Sequence, residues 1–152
     1  MEERKVPYGA LIKQLSMAIN KQADAALQEN DLTFTQMVFL GALDQLPEGE
    51  APLKELERRF RVAQSTAAGI AARLERKRLL ESVPDEKDRR VKRVRITSAG
   101  RETFRRALDT IEAGEKQMLS PLTVPEQETL MILLTKINDS LRETEGGYCP
   151  CP

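Results

Sequence analysis

The chain has 152 residues, enough for one domain with one main core, and its 24 Lys and Arg balance its 24 Asp and Glu, so net charge alone argues for no partner. It contains no histidine, which excludes Ser-His-Asp and Cys-His catalysis and every metal site that depends on imidazole. No apolar run approaches the ~18 residues of a membrane span, and Met1-Glu2-Glu3-Arg4-Lys5 leads into no apolar signal core. The expectation is therefore a soluble, cytoplasmic protein that needs no cofactor and makes no membrane contact.

Tyr8, Leu11, Ile12, Leu15, Ile19, Ala23, Ala26 and Leu27 recur at helical spacing and predict a long first helix. Its stripe fits core packing or a dimer interface equally well. Asn30-Asp31 breaks it. Thr33, three residues before Gln36, forms a capping box for a second helix that carries Met37, Val38, Phe39, Leu40, Ala42, Leu43 and Leu46. Being apolar nearly all round, that helix is expected to be the most buried. Pro47-Glu48-Gly49-Glu50 ends it.

Pro52 starts a short helix with Leu53, Leu56 and Phe60 inward; Arg61-Val62-Ala63 is the turn, and Ala63, Ala67, Ile70 and Leu74 stripe the next helix. Two short helices across a tight turn fit a helix-turn-helix, although an ordinary helical hairpin has the same spacing. Leu79 to Val83 and Val91 to Ile96 read as two strands, the second alternating Val94 and Ile96 with Arg93 and Arg95, about a polar tip, Pro84-Asp85-Glu86-Lys87-Asp88. A basic hairpin directly behind a helix-turn-helix is a winged DNA-binding unit. Charge agrees with that order. From Leu53 to Thr97 there are 14 Lys and Arg against 7 Asp and Glu, a net of +7 that leaves −7 for the rest of the chain. Such a segment is a localised electrostatic footprint.

Thr97-Ser98 caps the following helix, striped by Phe104, Ala107, Leu108 and Ile111 and reaching Met118 and Leu119 before Pro121. Thr123-Val124-Pro125-Glu126 is a second capping box, and Leu130, Met131, Leu133, Leu134, Ile137 and Leu141 make a strongly apolar last helix that calls for a partner surface. The tail, 146–152, is too rich in Gly and Pro for regular structure and is expected to be disordered.

Three stretches make the chain resemble the MarR-type (multiple antibiotic resistance regulator) transcriptional regulators. Leu32-Thr33-Phe34-Thr35-Gln36 resembles the family's Leu-Thr-x-x-Gln; Gln64-Ser65-Thr66 with Arg73-Leu74-Glu75-Arg76-Lys77 resembles its recognition helix; Asp88-x-Arg90 followed after five residues by Ile96-Thr97 resembles the wing signature, with Ile for Leu. The resemblance spans roughly residues 8 to 142. It implies a mainly α fold with a small β wing, in which a single winged helix-turn-helix domain (1–145) has dimerisation helices at about 6–30 and 98–144 and a DNA-binding lobe at about 51–97. It also implies a homodimer that binds double-stranded operator DNA, usually as a repressor, and a small organic, often phenolic, effector that lowers DNA affinity.

Only the major groove admits a helix and displays a distinct pattern for each base pair. With the apolar stripe inward, Gln64, Ser65, Thr66, Ala68, Gly69, Ala72 and Arg73 lie toward or beside DNA. Gln64 suits adenine, Thr66 a thymine methyl or a phosphate, and Arg73 guanine or phosphate; Ser65 and Thr66 could instead cap the helix. Ala68-Gly69 replaces the longer polar residues frequent in the family, so specificity is expected to lean on DNA shape and phosphate contacts. Arg90 is the expected minor-groove contact, its guanidinium held by Asp88. Lys87, Arg89, Lys92, Arg93 and Arg95 are phosphate partners or solvated charges. Arg78 stands where a Gly often ends the recognition helix, so the left-handed cap is expected to be missing.

Tyr8, Met17, Phe34 and Met37 are weak candidates for an effector cavity, and core packing would explain them equally well. Cys149 and Cys151, one residue apart, would suit a soft metal, oxidation or cross-linking, or form an inert tail. Two other classes compete with an operator-binding regulator: a winged-helix protein-interaction module that the short side chains at Ala68, Gly69 and Ala72 would suit, and a thiol- or soft-metal-responsive regulator. An enzyme is not expected, because no nucleophile, base or phosphate loop is assembled.

Overall fold

The computed structural model describes residues 6–144, with side chains through Leu141. The proposed tail and its Cys149 and Cys151 lie outside the described residues. The elements run α1 (Tyr8–Glu29), α2 (Phe34–Asp44), a 3-10 turn (Pro47–Gly49), β1 (Glu50–Pro52), α3 (Leu53–Phe60), α4 (Gln64–Arg76), β2 (Leu80–Pro84), β3 (Lys92–Ile96), α5 (Ser98–Leu119) and α6 (Val124–Thr144). The chain divides into two compact units, the first ending at Glu112.

In the first unit, α2 is the most buried helix, with seven of its eleven residues inside. Its start is fixed as the capping box requires. Thr33 Oγ1 accepts from the Gln36 N–H at 3.2 Å, and Gln36 Oε1 accepts from the Thr33 N–H at 3.2 Å. The same Gln36 Oε1 accepts from Lys77 Nζ at 3.2 Å, tying the start of α2 to the end of α4. Phe39, Leu40, Leu43, Leu56, Leu74 and Val94 are the largest side chains buried completely, each contributing about 1.5–3 kcal/mol relative to an exposed position. Phe60 stacks on Phe39 with ring centroids 5.6 Å apart.

The sheet has three antiparallel strands in the order β1-β3-β2, not the two read from the sequence. Ala51 and Ser82 both pair with Val94. The added strand, Glu50–Pro52, fastens the wing to the segment that precedes α3. Val94 and Ile96 point into the core while Arg93 and Arg95 are half-exposed, as strand alternation requires.

Two tight turns depend on left-handed residues that are not glycine. Arg61 (φ 50°) ends α3 and forms the turn of the helix-turn-helix. Arg78 (φ 61°) follows α4, where its N–H donates to Glu75 O at 2.9 Å and the Leu79 N–H donates to Leu74 O at 2.9 Å. The left-handed cap expected to be missing is therefore present. An L-residue pays about 1–2 kcal/mol for this conformation, and the surroundings supply the compensation. Thr97 Oγ1 donates to Arg78 O at 2.8 Å, the Thr97 N–H donates to Leu79 O at 3.1 Å, and Thr97 Oγ1 accepts from the Gly100 N–H at 3.0 Å. Thr97 thus locks the end of α4 to the end of β3 while capping α5. A Cβ at Gly100 would collide with the Leu79 carbonyl, which closes this junction to larger residues.

Only Ala26 and Leu27 of α1 are buried. Leu11, Ile12, Leu15 and Ile19 are 42–54% exposed, so the stripe does not serve this chain's own core. In the second unit Gln127 Nε2 donates to the carbonyls of Leu119 and Leu122, fixing the bend before α6. The capping box expected there is altered: Glu126 Oε2 accepts from both the N–H and the hydroxyl of Thr123. Met131, Leu133, Leu134, Ile137 and Leu141 of α6 are exposed. Among the described residues no helix is long and apolar enough to cross a membrane, and no group of His, Cys, Asp or Glu could hold a metal.

Candidate nucleic-acid interface

Helix α4 turns Ala67, Ile70, Ala71 and Leu74 to the core and leaves Gln64, Ser65, Thr66, Ala72 and Arg73 exposed. Ala63, expected in the buried stripe, is the exposed N-cap residue instead; the helix begins only at Gln64, and Ala71 takes the fourth inward place. Ala68 also departs from expectation, being half-buried and packed against the core cluster. Neither Ser65 nor Thr66 caps the helix, since no side chain accepts at its start. Their hydroxyls share the open first turn with backbone donors, where the helix dipole favours an anion. An added Cβ at Gly69 would meet nothing within 4 Å, so packing inside the protein does not account for the glycine.

The wing tip is built by two aspartates. Asp85 Oδ1 accepts from the N–H groups of Lys87 at 2.9 Å and Asp88 at 3.0 Å. These two backbone bonds, Asp88 first, with Arg93 nearby, hold the Asp85 carboxyl below the ordinary aspartate range. Asp88 Oδ1 then accepts from the backbone N–H of Arg90 at 2.9 Å and from its Nε at 3.3 Å. The expected Asp88–Arg90 pair is present. It engages Arg90 through Nε, and the side chain is 93% exposed at the tip. Lys87 and Arg89 are exposed beside it.

Behind the tip Arg93 and Arg95 are already paired with carboxylates. Arg93 pairs with Glu50 at 3.2 Å and Asp85 at 3.4 Å, and Arg95 with Glu50 at 2.7 Å and Glu81 at 3.6 Å. The hydrogen bond from Arg95 is the main influence holding the Glu50 carboxyl below its ordinary range, and Glu50 in turn raises Arg95. Arg93 and Arg95 are thus held in ion pairs and do not stand as isolated charges. Lys92 lies 3.9 Å from Glu75, and Ser82 also bonds Glu75, linking β2 to α4.

A family model described as "MarR family" matches residues 30–91, from just after α1 through the wing tip. Over that stretch the chain is similar to the MarR family. The transcriptional activatory protein BadR of Rhodopseudomonas palustris is 27% identical over 136 residues, 88% of this chain and 78% of BadR. Among solved structures, YusO of Bacillus subtilis has a TM-score of 0.77 at 26% identity, covering 84% of this chain and 89% of YusO. The S. aureus MepR–DNA complex has a TM-score of 0.74 at 25% identity, covering 88% of this chain and 99% of MepR. The mainly helical, winged-helix architecture read from the sequence is the one observed.

The four effector candidates are not brought together. Met37 is 8% exposed and belongs to the core cluster, whereas Tyr8, Met17 and Phe34 are 85%, 63% and 58% exposed. A different feature, an open cleft of about 810 Å³, lies among Glu29, Asn30, Asp31, Lys77, Leu79, Thr103, Arg106, Asp109 and Thr110. Both of its cations have partners: Lys77 bonds Asp31 and Gln36, and Arg106 bonds Glu102 and Thr103.

Proposed function

We propose that this protein is a MarR-type, DNA-binding transcriptional regulator that acts as a homodimer on a double-stranded, pseudo-palindromic operator. Helix α4 enters the major groove with Gln64, Ser65, Thr66 and Arg73 toward base edges and phosphates, and the wing reaches the flanking minor groove with Arg90. Asp88 holds the guanidinium, and Lys87, Arg89 and Lys92 meet phosphates. The observation carrying this assignment is the coexistence, on one compact unit, of an uncapped polar first turn on α4 and a 93%-exposed arginine fixed at the wing tip. The DNA complex of the MepR relative supports it. A second copy of the chain is the partner proposed for the exposed apolar faces of α1 and α6.

With Ala68 drawn toward the core and Gly69 bare, few long side chains remain for base readout. Sequence preference then rests on DNA shape, and Arg90 is drawn to the narrow, strongly negative minor groove of A·T-rich steps. Repression is the sign expected of the family, but BadR is named an activator; the sign follows from where the operator lies relative to the promoter. A small organic effector, phenolic in character, is part of the proposal.

The test is a gel-shift titration on DNA upstream of the protein's own gene, with and without phenolic compounds, followed by footprinting. The expected footprint has two half-sites one helical turn, about 34–36 Å, apart. Base changes under the wing should cost at least as much affinity as changes across the major-groove half-site. Substituting Arg90→Ala should weaken binding about tenfold or more, ~1.4 kcal/mol, in a folded protein. Unchanged affinity for R90A would remove the wing from the mechanism.

A further inference from the structure

We propose that Asp85 is the positioning residue of the wing, a carboxylate that touches no DNA but sets the loop from which Arg90 is aimed. It rests on the minor-groove role given to Arg90 above. The geometry is a continuous chain of contacts running outward. Glu50 on β1 holds Arg93 at 3.2 Å, Arg93 holds Asp85 Oδ2 at 3.4 Å, and Asp85 Oδ1 takes the N–H groups of Lys87 and Asp88. Asp88 then takes the N–H and Nε of Arg90, while its own carbonyl accepts the Val91 N–H at 2.9 Å and closes the loop.

Exposure is low at the sheet end of this chain and high at the tip. The side chains of Glu50, Asp85 and Arg93 are 16%, 18% and 23% exposed, Asp88 is 46% and Arg90 is 93%. The inner members are anchored to the sheet, and only the last reaches freely into solvent. Asp85 has both oxygens engaged, one by backbone and one by Arg93, so it joins the sheet to the tip at a single residue. The loop 85–90 is short and polar, with no buried side chain of its own. Without Asp85 the backbone N–H groups of Lys87 and Asp88 lose their acceptor, and the Asp88 carboxylate loses its fixed place opposite Arg90.

The sign of the expected effect separates this role from simple electrostatics. Removing a negative charge beside a DNA-facing tip should, by charge alone, strengthen binding to a polyanion. Positioning predicts the opposite. The experiment is a fluorescence-anisotropy titration of an upstream duplex with wild type, Asp85→Ala, Asp85→Asn, Arg90→Ala and the double variant D85A/R90A. D85A should weaken binding about fivefold, equivalent to roughly 1 kcal/mol. D85N keeps an oxygen for the two N–H groups and should stay within about twofold of wild type. The double variant should bind no worse than R90A, because without Arg90 there is nothing left to aim.

Amide NMR of the free protein supplies a readout independent of DNA: the Lys87 and Asp88 N–H signals should move in D85A and hold in D85N. Equal or tighter binding by D85A, with R90A weakened, overturns the positioning role and leaves the minor-groove contact standing. Additive losses in the double variant also overturn it. No loss on R90A removes the minor-groove contact and this inference with it.

Discussion

Gly69 offers an opposed pair of effects in one substitution. It is the sixth residue of the 13-residue helix α4, and an added Cβ meets nothing within 4 Å in the free protein. Replacing it with alanine therefore brings the full helix-propensity gain without a steric cost, about 0.8–1.0 kcal/mol. For a domain of this size that corresponds to a rise in Tm of roughly 3–4 °C. If α4 seats its backbone against duplex DNA at this point, the same methyl group occupies the space of closest approach, and affinity falls while stability rises. Thermal unfolding followed by circular dichroism reads the first effect, and a duplex titration reads the second. A lower Tm would show that the open space at Gly69 was misjudged. A higher Tm with unchanged affinity would refute the close approach of α4 to DNA and assign the glycine no role in binding.

Other expectations follow from the same geometry. Arg78→Gly relieves a left-handed residue at φ 61° and should stabilise by about 0.5–1 kcal/mol, the steric gain exceeding the entropy a glycine adds to the unfolded chain; a melt that moves downward contradicts this. Arg89→Ala should flatten the dependence of log affinity on log salt by about 0.9 per subunit, whereas Arg95→Ala, already paired with Glu50 and Glu81, should leave that slope unchanged. The Glu50 and Asp85 carboxyls are held below their ordinary values of 4.5 and 3.8. Their contribution to folding is therefore complete above those values and lost as pH falls through the lower folded-state ones. The stability difference between wild type and Glu50→Gln should accordingly be constant near neutrality and vanish in strong acid; a difference that grows as pH falls would reverse the sign.

Local signals in the sequence carried a long way. The Thr33/Gln36 box, the inward Leu53 and Leu56, the alternation of Val94 and Ile96 with two arginines, and the Asp88–Arg90 pair are each set within a few residues, and each is present. Features that depend on distant partners were not legible. Glu50 meets Arg93 and Arg95 across 43 and 45 residues, so the arginines looked free and β1, three residues leading into a helix, looked like a connection. Arg78 adopts the left-handed cap because Thr97, 19 residues on, bonds its carbonyl; propensity alone argued against it. Ala63 is exposed because it precedes the first residue of α4, and Ala68 is half-buried beside the expected stripe of Ala67, Ile70 and Leu74. Met37 lies in the core because α2 is covered nearly all round, which its composition implied but no spacing rule singled out.

In the proposed complex, two copies of this unit grip one duplex. Sedimentation velocity of the protein mixed with a labelled upstream duplex, at low and at physiological salt, tests it most directly. The expected species is a complex of two chains per duplex that outlasts an excess of unrelated DNA and dissociates steeply as salt rises. A single chain bound per duplex, or equal loss of the complex to unrelated DNA in dilute buffer, would contradict it.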